Sequence, residues 1–240
     1  MRARLRYRRA NQRWNDWLFN FDGRTTPVTD IQTATLRVEA PTAEVPATTP
    51  APEASLPHTV APDGMVIVPG GPFLMGDRLA AEDEQPEHTV ELPTFAIDRV
   101  PVTNADFAVF VSATQRPSPV LKLPWADRYN WDDGRPPAGT ERQPAILVTQ
   151  QEAQAYCQHV GKQLPTEQQW EKAARGPDGR RYPWGNAPQA CAASQGEDVP
   201  RSVGLCPDLT SPYGALDMVG GVVEWTASAY AAYPRDDLHP

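Results

Sequence analysis

The sequence predicts an α+β fold that is loop-rich and low in regular secondary structure. Three observations carry that reading. Proline is abundant, 27 of 240 residues beside 16 Gly, well above its average share of about 5%, and proline breaks long helices. Three short segments carry helix start signals, and apolar stretches ahead of them alternate as strands do. Past Gly176 no long periodic segment follows, only turn signals: Gly176-Pro177-Asp178-Gly179, Pro183-Trp184-Gly185-Asn186 and Ser211-Pro212-Tyr213-Gly214. A helical bundle or a long coiled coil is excluded on the same grounds.

Residues 1–62 read as a disordered tail and linker. Arg2, Arg4, Arg6, Arg8, Arg9 and Arg13 crowd the start with no apolar run behind them, so no secretory signal pattern is present. The segment reads as a solvated basic tail, with tethering to an anionic surface as the alternative. Between Ala40 and Pro62 lie Pro41, Pro46, Pro50, Pro52, Pro57 and Pro62. That composition cannot bury a core and stiffens toward polyproline II. A linker at that place leads to the expectation of an upstream domain or membrane anchor, which the sequence itself does not show.

Residues 63–240 read as one domain. Met65 to Pro69 is a short apolar run, Gly70-Gly71 turns, and Phe73-Leu74-Met75-Gly76 follows, which predicts a β-hairpin. Thr89 to Ile97 alternates and predicts another strand. Thr103 before Asn104-Ala105-Asp106 opens a helix with Phe107, Phe110 and Val111 on one face. Thr149 before Gln150-Gln151-Glu152 is a capping box, with Ala153, Tyr156, Cys157 and Val160 as the inner stripe and Gly161 as the stop. Thr166 before Glu167-Gln168-Gln169 is a second box, with Trp170, Ala173 and Ala174 inside and Gly176 at the end. With so little periodic structure, stability must rest on aromatic packing and on specific loop hydrogen bonds, with Trp170, Trp184 and Trp225 as anchors.

Charge narrows the function classes. Net charge is -8. Residues 1–62 hold 8 Arg against 6 acids, so the remainder carries 14 basic and 24 acidic residues. An acidic body does not suit nucleic-acid binding, which rests on cation–phosphate contacts. No stretch approaches the roughly 20 apolar residues of a membrane-spanning helix. The three Cys form no CxxC pair and the four His no HxxxH pair, which argues against a zinc site. No P-loop or dinucleotide-type glycine loop occurs.

Five stretches, taken in order, resemble the formylglycine-generating enzyme family, also called sulfatase-modifying factor domains. Met65 to Gly76 is similar to its opening hairpin. Val100-Pro101-Val102-Thr103-Asn104 is similar to its E-V-T-N helix start. Pro144 and the helix through Ala155-Tyr156-Cys157 match the next block. Leu164-Pro165-Thr166-Glu167, Trp170-Glu171 and Ala173-Ala174-Arg175-Gly176 run on into Tyr182-Pro183-Trp184-Gly185. Last come Gly214-Ala215-Leu216-Asp217-Met218-Val219-Gly220 and Glu224-Trp225-Thr226. The resemblance implies a loop-rich fold related to C-type lectins. It implies activities that use molecular oxygen: oxidation of a sulfatase Cys to formylglycine by copper on two Cys, or the iron-dependent sulfoxide synthases of ergothioneine biosynthesis.

The departures set what carries over. In the family the catalytic Cys pair lies in a C-terminal segment with an Arg-Gly-Gly-Ser block, whereas this chain ends 15 residues after Trp225. A C-terminally truncated member is therefore expected, with copper only where a further segment supplies the Cys pair, and no residue here is assigned a catalytic role. The family's Gly-Asn-Val-Trp-Glu-Trp appears as Gly220-Gly221-Val222-Val223-Glu224-Trp225, and the Arg that usually precedes Leu-Pro-Thr-Glu is Gln163. Asp217, Gly220, Val222 and Glu224 match a structural calcium site of the family. The chemistry agrees, since calcium takes carboxylate and backbone carbonyl oxygens and glycine lets the backbone bend around it.

From the residues themselves, Cys191 and Cys206 are expected to form a disulfide pinning a loop, a closure worth about 3 kcal/mol in the chain-entropy model; two free thiols in a reducing compartment are the alternative. Cys157 reads as a small buried hydrophobe. His88 and His159 receive no role, and Glu167 is expected to favour its helix's N-terminal dipole. Two functions from different classes stay open. One is an oxygen-dependent oxidase acting on a protein Cys or related thiol, with a protein or peptide partner and with this chain inactive alone. The other is a noncatalytic recognition module on a Pro-rich stalk, using Trp125, Tyr129 and Trp131 of the loop from Arg116 to Arg142, aromatics that the plainer reading assigns to covering the core.

Overall fold

The computed structural model describes residues 61–78, 84–187, 189, 200–231 and 233, and the backbone of 7–10, 29–30 and 35–37. The strands are β1 (Tyr7–Ala10), β2 (Thr29–Asp30), β3 (Thr35–Arg37), β4 (Met65–Val68), β5 (Gly71–Met75), β6 (His88–Leu92), β7 (Phe95–Asp98) and β8 (Val223–Ala229). The α-helices are α1 (Asn104–Thr114), α2 (Gln150–His159) and α3 (Glu167–Arg175), with 3-10 turns at Pro124–Tyr129 and Pro207–Leu209.

The expected hairpin about Gly70-Gly71 is corrected. β4 pairs with β7 and β5 with β6, both antiparallel, so β4 and β5 do not face each other. The two ladders share one register: Val68 faces Phe95 and Gly71 faces Leu92. Pro69-Gly70 therefore lies opposite Pro93-Thr94, and the whole is a single long hairpin interrupted once. Pro69 and Pro93 cannot donate to the ladder there. Gly70 is needed at this crossing, because a Cβ on it would stand 2.9 Å from the Thr94 nitrogen. Its own N–H is taken by Thr94 Oγ1 at 2.9 Å. The real reversal falls between Met75 and His88.

Within the segment 1–62, expected to be a structureless tail, three short stretches of described backbone pair with the domain. β1 runs antiparallel and β2 parallel to β8, and β3 is antiparallel to β7. Backbone pairing does not require apolar side chains, only unpaired N–H and C=O groups on β7 and β8 to meet. The expected linker from Ala40 to Pro62 lies almost wholly outside the described residues.

All three helices begin as the spacing predicts. Thr103, Thr149 and Thr166 each accept from the backbone N–H three residues on, and Asp106, Glu152 and Gln169 reach back to the cap nitrogens. Phe107, Phe110 and Val111 of α1 meet Ala153, Tyr156 and Cys157 of α2 in one buried cluster. Val160 falls past the end of α2 and is exposed, so it leaves the expected stripe. A second cluster packs Trp170, Ala173 and Ala174 of α3 on Val68, Phe95 and Ile97 of the long hairpin, with Ala215 and Met218.

The charged residues of α3 also dock it, through hydrogen bonds to the ends of β5 and to the loop after the helix. Glu171 Oε1 accepts from the Gly76 N–H at 2.8 Å and pairs with Arg175 one turn on. Arg175 also donates through Nη1 to the Gly76 carbonyl at 2.9 Å and through Nε to that of Arg180 at 2.7 Å. Lys172 is buried and donates to the Gly71 carbonyl at 2.7 Å, so both ends of β5 are tied to one helix. Burial pushes the Lys172 ammonium below its usual pKa, with the Glu91 charge opposing.

Removing one partner of a buried pair strands the other, at about 3–5 kcal/mol. Arg175→Met is thus expected to cost several-fold more stability in urea unfolding than Thr166→Ala, which removes a cap worth about 1 kcal/mol. An Arg175→Met protein as stable as the parent would show that the clamp holds nothing.

Candidate metal centre

The acidic centre is built where the glycine-bent loop after Ser211 enters β8. Ser211 is buried, and its hydroxyl accepts the N–H of Ala215 at 3.0 Å. The Leu216 N–H reaches the Arg99 carbonyl at 2.7 Å. Ala215 and Met218 point into the cluster beneath Trp170. Asp217 sits between them with φ of 58°, and Gly220 and Gly221 follow at 81° and 71°. This left-handed stretch favours glycine, and it brings Asp217 close enough for its charge to act on Glu224.

Glu224 lies on β8, 1% exposed. Its Oε2 accepts the indole N–H of Trp170. Its Oε1 is buried without a hydrogen-bond partner in the protein. Burial holds its carboxyl well above the ordinary value, the Trp170 bond opposes that, and the Asp217 charge adds to it. Asp217 is half-buried, and its Oδ2 accepts from the Gly204 N–H at 2.6 Å. Burial raises its pKa as well, against the Gly204 bond and the Arg201 charge. Two carboxylates that burial disfavours, one of them also raised by the other's charge and carrying an orphaned oxygen, fit a hard cation.

Of the four residues that the sequence singled out for calcium, the two acids interact through charge, and Gly220 and Val222 lie between them in the chain. Among the described residues no three His, Cys, Asp or Glu side chains converge. A cation here would have to complete its shell with backbone carbonyls and water.

The thiols divide. Cys157 is free and fully buried, and burial and the Asp98 charge push its pKa up to about 12. Cys206 is disulfide-bonded. Cys191 lies outside the described residues. Trp131 is 5% exposed and meets Phe107 edge-on at 5.9 Å, so it covers the core, as the plainer reading of that loop expected. Trp125 and Tyr129 are half-buried.

Sequence reasoning missed two arrangements. Trp170 was read as a core anchor, and its bond to Glu224 crosses 54 residues that no local spacing encodes. Glu167, taken only as a dipole partner, accepts from the Tyr233 hydroxyl at 2.9 Å, and Tyr233 packs edge-on to His88 at 4.9 Å.

A profile of the sulfatase-modifying factor enzyme 1-like domain matches residues 51–237. The chain belongs to this family. The match opens inside the stretch expected to be linker. The chain is 39% identical over 202 residues to the hercynine oxygenase of Mycolicibacterium smegmatis, covering 70% of this chain and 46% of that protein. It therefore spans less than half of that relative's length. It is 32% identical over 231 residues to the formylglycine-generating enzyme of Mycobacterium tuberculosis, covering 73% of this chain and 77% of that one. The structure of PvdO from Pseudomonas aeruginosa superposes with a TM-score of 0.55 at 26% identity, over 68% of this chain and 70% of that one. The sulfatase-modifying-factor fold, mixed in helix and strand, is thereby shown. Among the described residues no helix is long and apolar enough to cross a membrane.

A thiol held neutral by burial does not react. In the native protein at mildly alkaline pH, Cys157 is expected to escape iodoacetamide and to be labelled only in urea. Stoichiometric labelling of Cys157 in the folded chain would contradict its placement.

Proposed function

We propose that this chain is the frame of an oxygen-dependent oxidase of the sulfatase-modifying factor family, organised around a structural calcium and directed at a thiol on a protein, peptide or small molecule. The observation that carries the reading is the division of labour in the described residues. Their carboxylate centre suits a hard cation, while neither described thiol is a free thiolate. Cys157 is sealed in the core and Cys206 is in a disulfide. The thiolates that a copper-dependent member needs would come from other residues, and the described part alone is expected to be inactive. The names of the two relatives, an oxygenase and a formylglycine-generating enzyme, support oxygen chemistry without selecting the substrate.

Asp217 and Glu224 would hold the calcium, with the carbonyls of Gly220 and Val222. Its role would be to neutralise two buried acids and so fix the entrance to β8 against α3. We also assign Cys191 as the partner of Cys206, a bridge that would fasten the loop carrying Gly204, the donor to Asp217. A peptide map without reductant is expected to recover the two cysteines linked, and recovery of Cys191 as a free thiol would refute it. Kinship with C-type lectins belongs to the same reading and is supported by the loop-rich α+β architecture. The recognition-module alternative loses Trp131, which faces the core.

Calcium at about 100 times its dissociation constant should add about 2.7 kcal/mol of stability. Thermal melts should therefore rise with calcium and fall with chelator, and Glu224→Gln should flatten the response. Identical midpoints in calcium and chelator would remove the metal from the account. For catalysis, the chain with copper, oxygen and a Cys-x-Pro-x-Arg peptide is expected to yield no formylglycine. An aldehyde trapped on that peptide would overturn the reading of this chain as frame alone.

A further inference from the structure

One feature of α3 points beyond its packing role. Trp170 is 4% exposed and lies among Val68, Phe95, Ile97 and Met218. Its indole nitrogen can only donate, and it donates to Glu224 Oε2. The other oxygen, Oε1, is buried and has no hydrogen-bond partner in the protein.

We infer that Trp170 is a positioning residue for the cation centre: its indole N–H holds one oxygen of Glu224 and thereby reserves the other for the cation. The inference rests on the calcium reading above and deepens it. With Oε2 engaged by the indole, Glu224 serves as a one-oxygen ligand, one of the two modes calcium accepts from carboxylates. The indole cannot swing away, because α3 is capped at Thr166 and tied through Glu171, Lys172 and Arg175 to both ends of β5. The orientation of the carboxylate is therefore inherited from the docking of the helix. A purely space-filling Trp170 would support the fold equally with and without the cation. A positioning Trp170 contributes to cation affinity, and outer-shell partners of this kind are worth about 10–100-fold.

The test is calorimetric titration of calcium into the chelator-treated full chain, as wild type, Trp170→Phe and Trp184→Phe, with metal-free melts beside it. Trp184 is the control because its indole donates elsewhere, to the Ala187 carbonyl at 2.9 Å. The expected result is binding weakened about 10–100-fold in Trp170→Phe and unchanged in Trp184→Phe. A Trp170→Phe protein with a lower metal-free midpoint but wild-type affinity would overturn the inference and leave Trp170 a packing residue. If Trp170→Phe does not fold, β-(3-benzothienyl)alanine at position 170 keeps the ring shape without the N–H, and the same two outcomes apply. Wild-type protein that takes up no calcium would overturn the calcium reading itself, a failure visible before any variant is compared.

Discussion

Taking a carboxylate out of water costs several kcal/mol unless charge and hydrogen bonds replace the lost hydration. Glu224 is buried at the point where β8, α3 and the loop after Ser211 meet, and so that cost falls on the joint of the fold. The indole of Trp170 offsets part of it by donating to Oε2. Because Trp170 also fills the cluster over the long hairpin, satisfying Glu224 and seating α3 are one event. The same helix then fixes β5 through Glu171, Lys172 and Arg175. Hairpin, helix and β8 are thus assembled around one short segment, which explains how a chain so poor in regular structure keeps a defined core.

What was legible in the sequence follows how local each signal is. The three helices were readable because a cap and its answering side chain lie three residues apart, and Thr103, Thr149 and Thr166 stand where that spacing puts them. The strands were readable in part as segments but not as pairs, and the run Thr89 to Ile97, read as one strand, is two, β6 and β7, divided at Pro93-Thr94. Gly70-Gly71 has the composition of a tight turn, yet Pro69-Gly70 lies opposite Pro93-Thr94 across one ladder and only interrupts it, a relation between positions far apart in the chain. β8 went unseen because Val223 to Ala229 is short and buries Glu224 on a face that patterning would keep apolar. The strands β1, β2 and β3 pair through backbone groups, which composition does not report.

The candidate site was legible in part for the same reason. Asp217, Gly220, Val222 and Glu224 lie close together in sequence, so a motif could flag them, but the feature that motivates a cation there, the unpartnered Oε1 of Glu224, shows only in three dimensions. Trp170 and Gly204, which hold the two carboxylates, are distant in sequence and no motif joins them to the acids. The thiols illustrate the converse. Cys157 on the inner stripe of α2 was already readable as core, and its burial removes it as a source of the thiolates that a copper-dependent member would need. Family membership accounts for the frame, while the reaction proposed for it would depend on groups that the described residues do not supply.

The claim that a cation completes the Glu224 joint is tested most directly by anomalous diffraction from crystals of the full chain grown with calcium. The account predicts an anomalous peak at calcium–oxygen distance, about 2.3–2.6 Å, from Glu224 Oε1 and from Asp217, with the Trp170 indole still on Oε2. A well-ordered centre with no anomalous peak, and a water or nothing against Oε1, would contradict it.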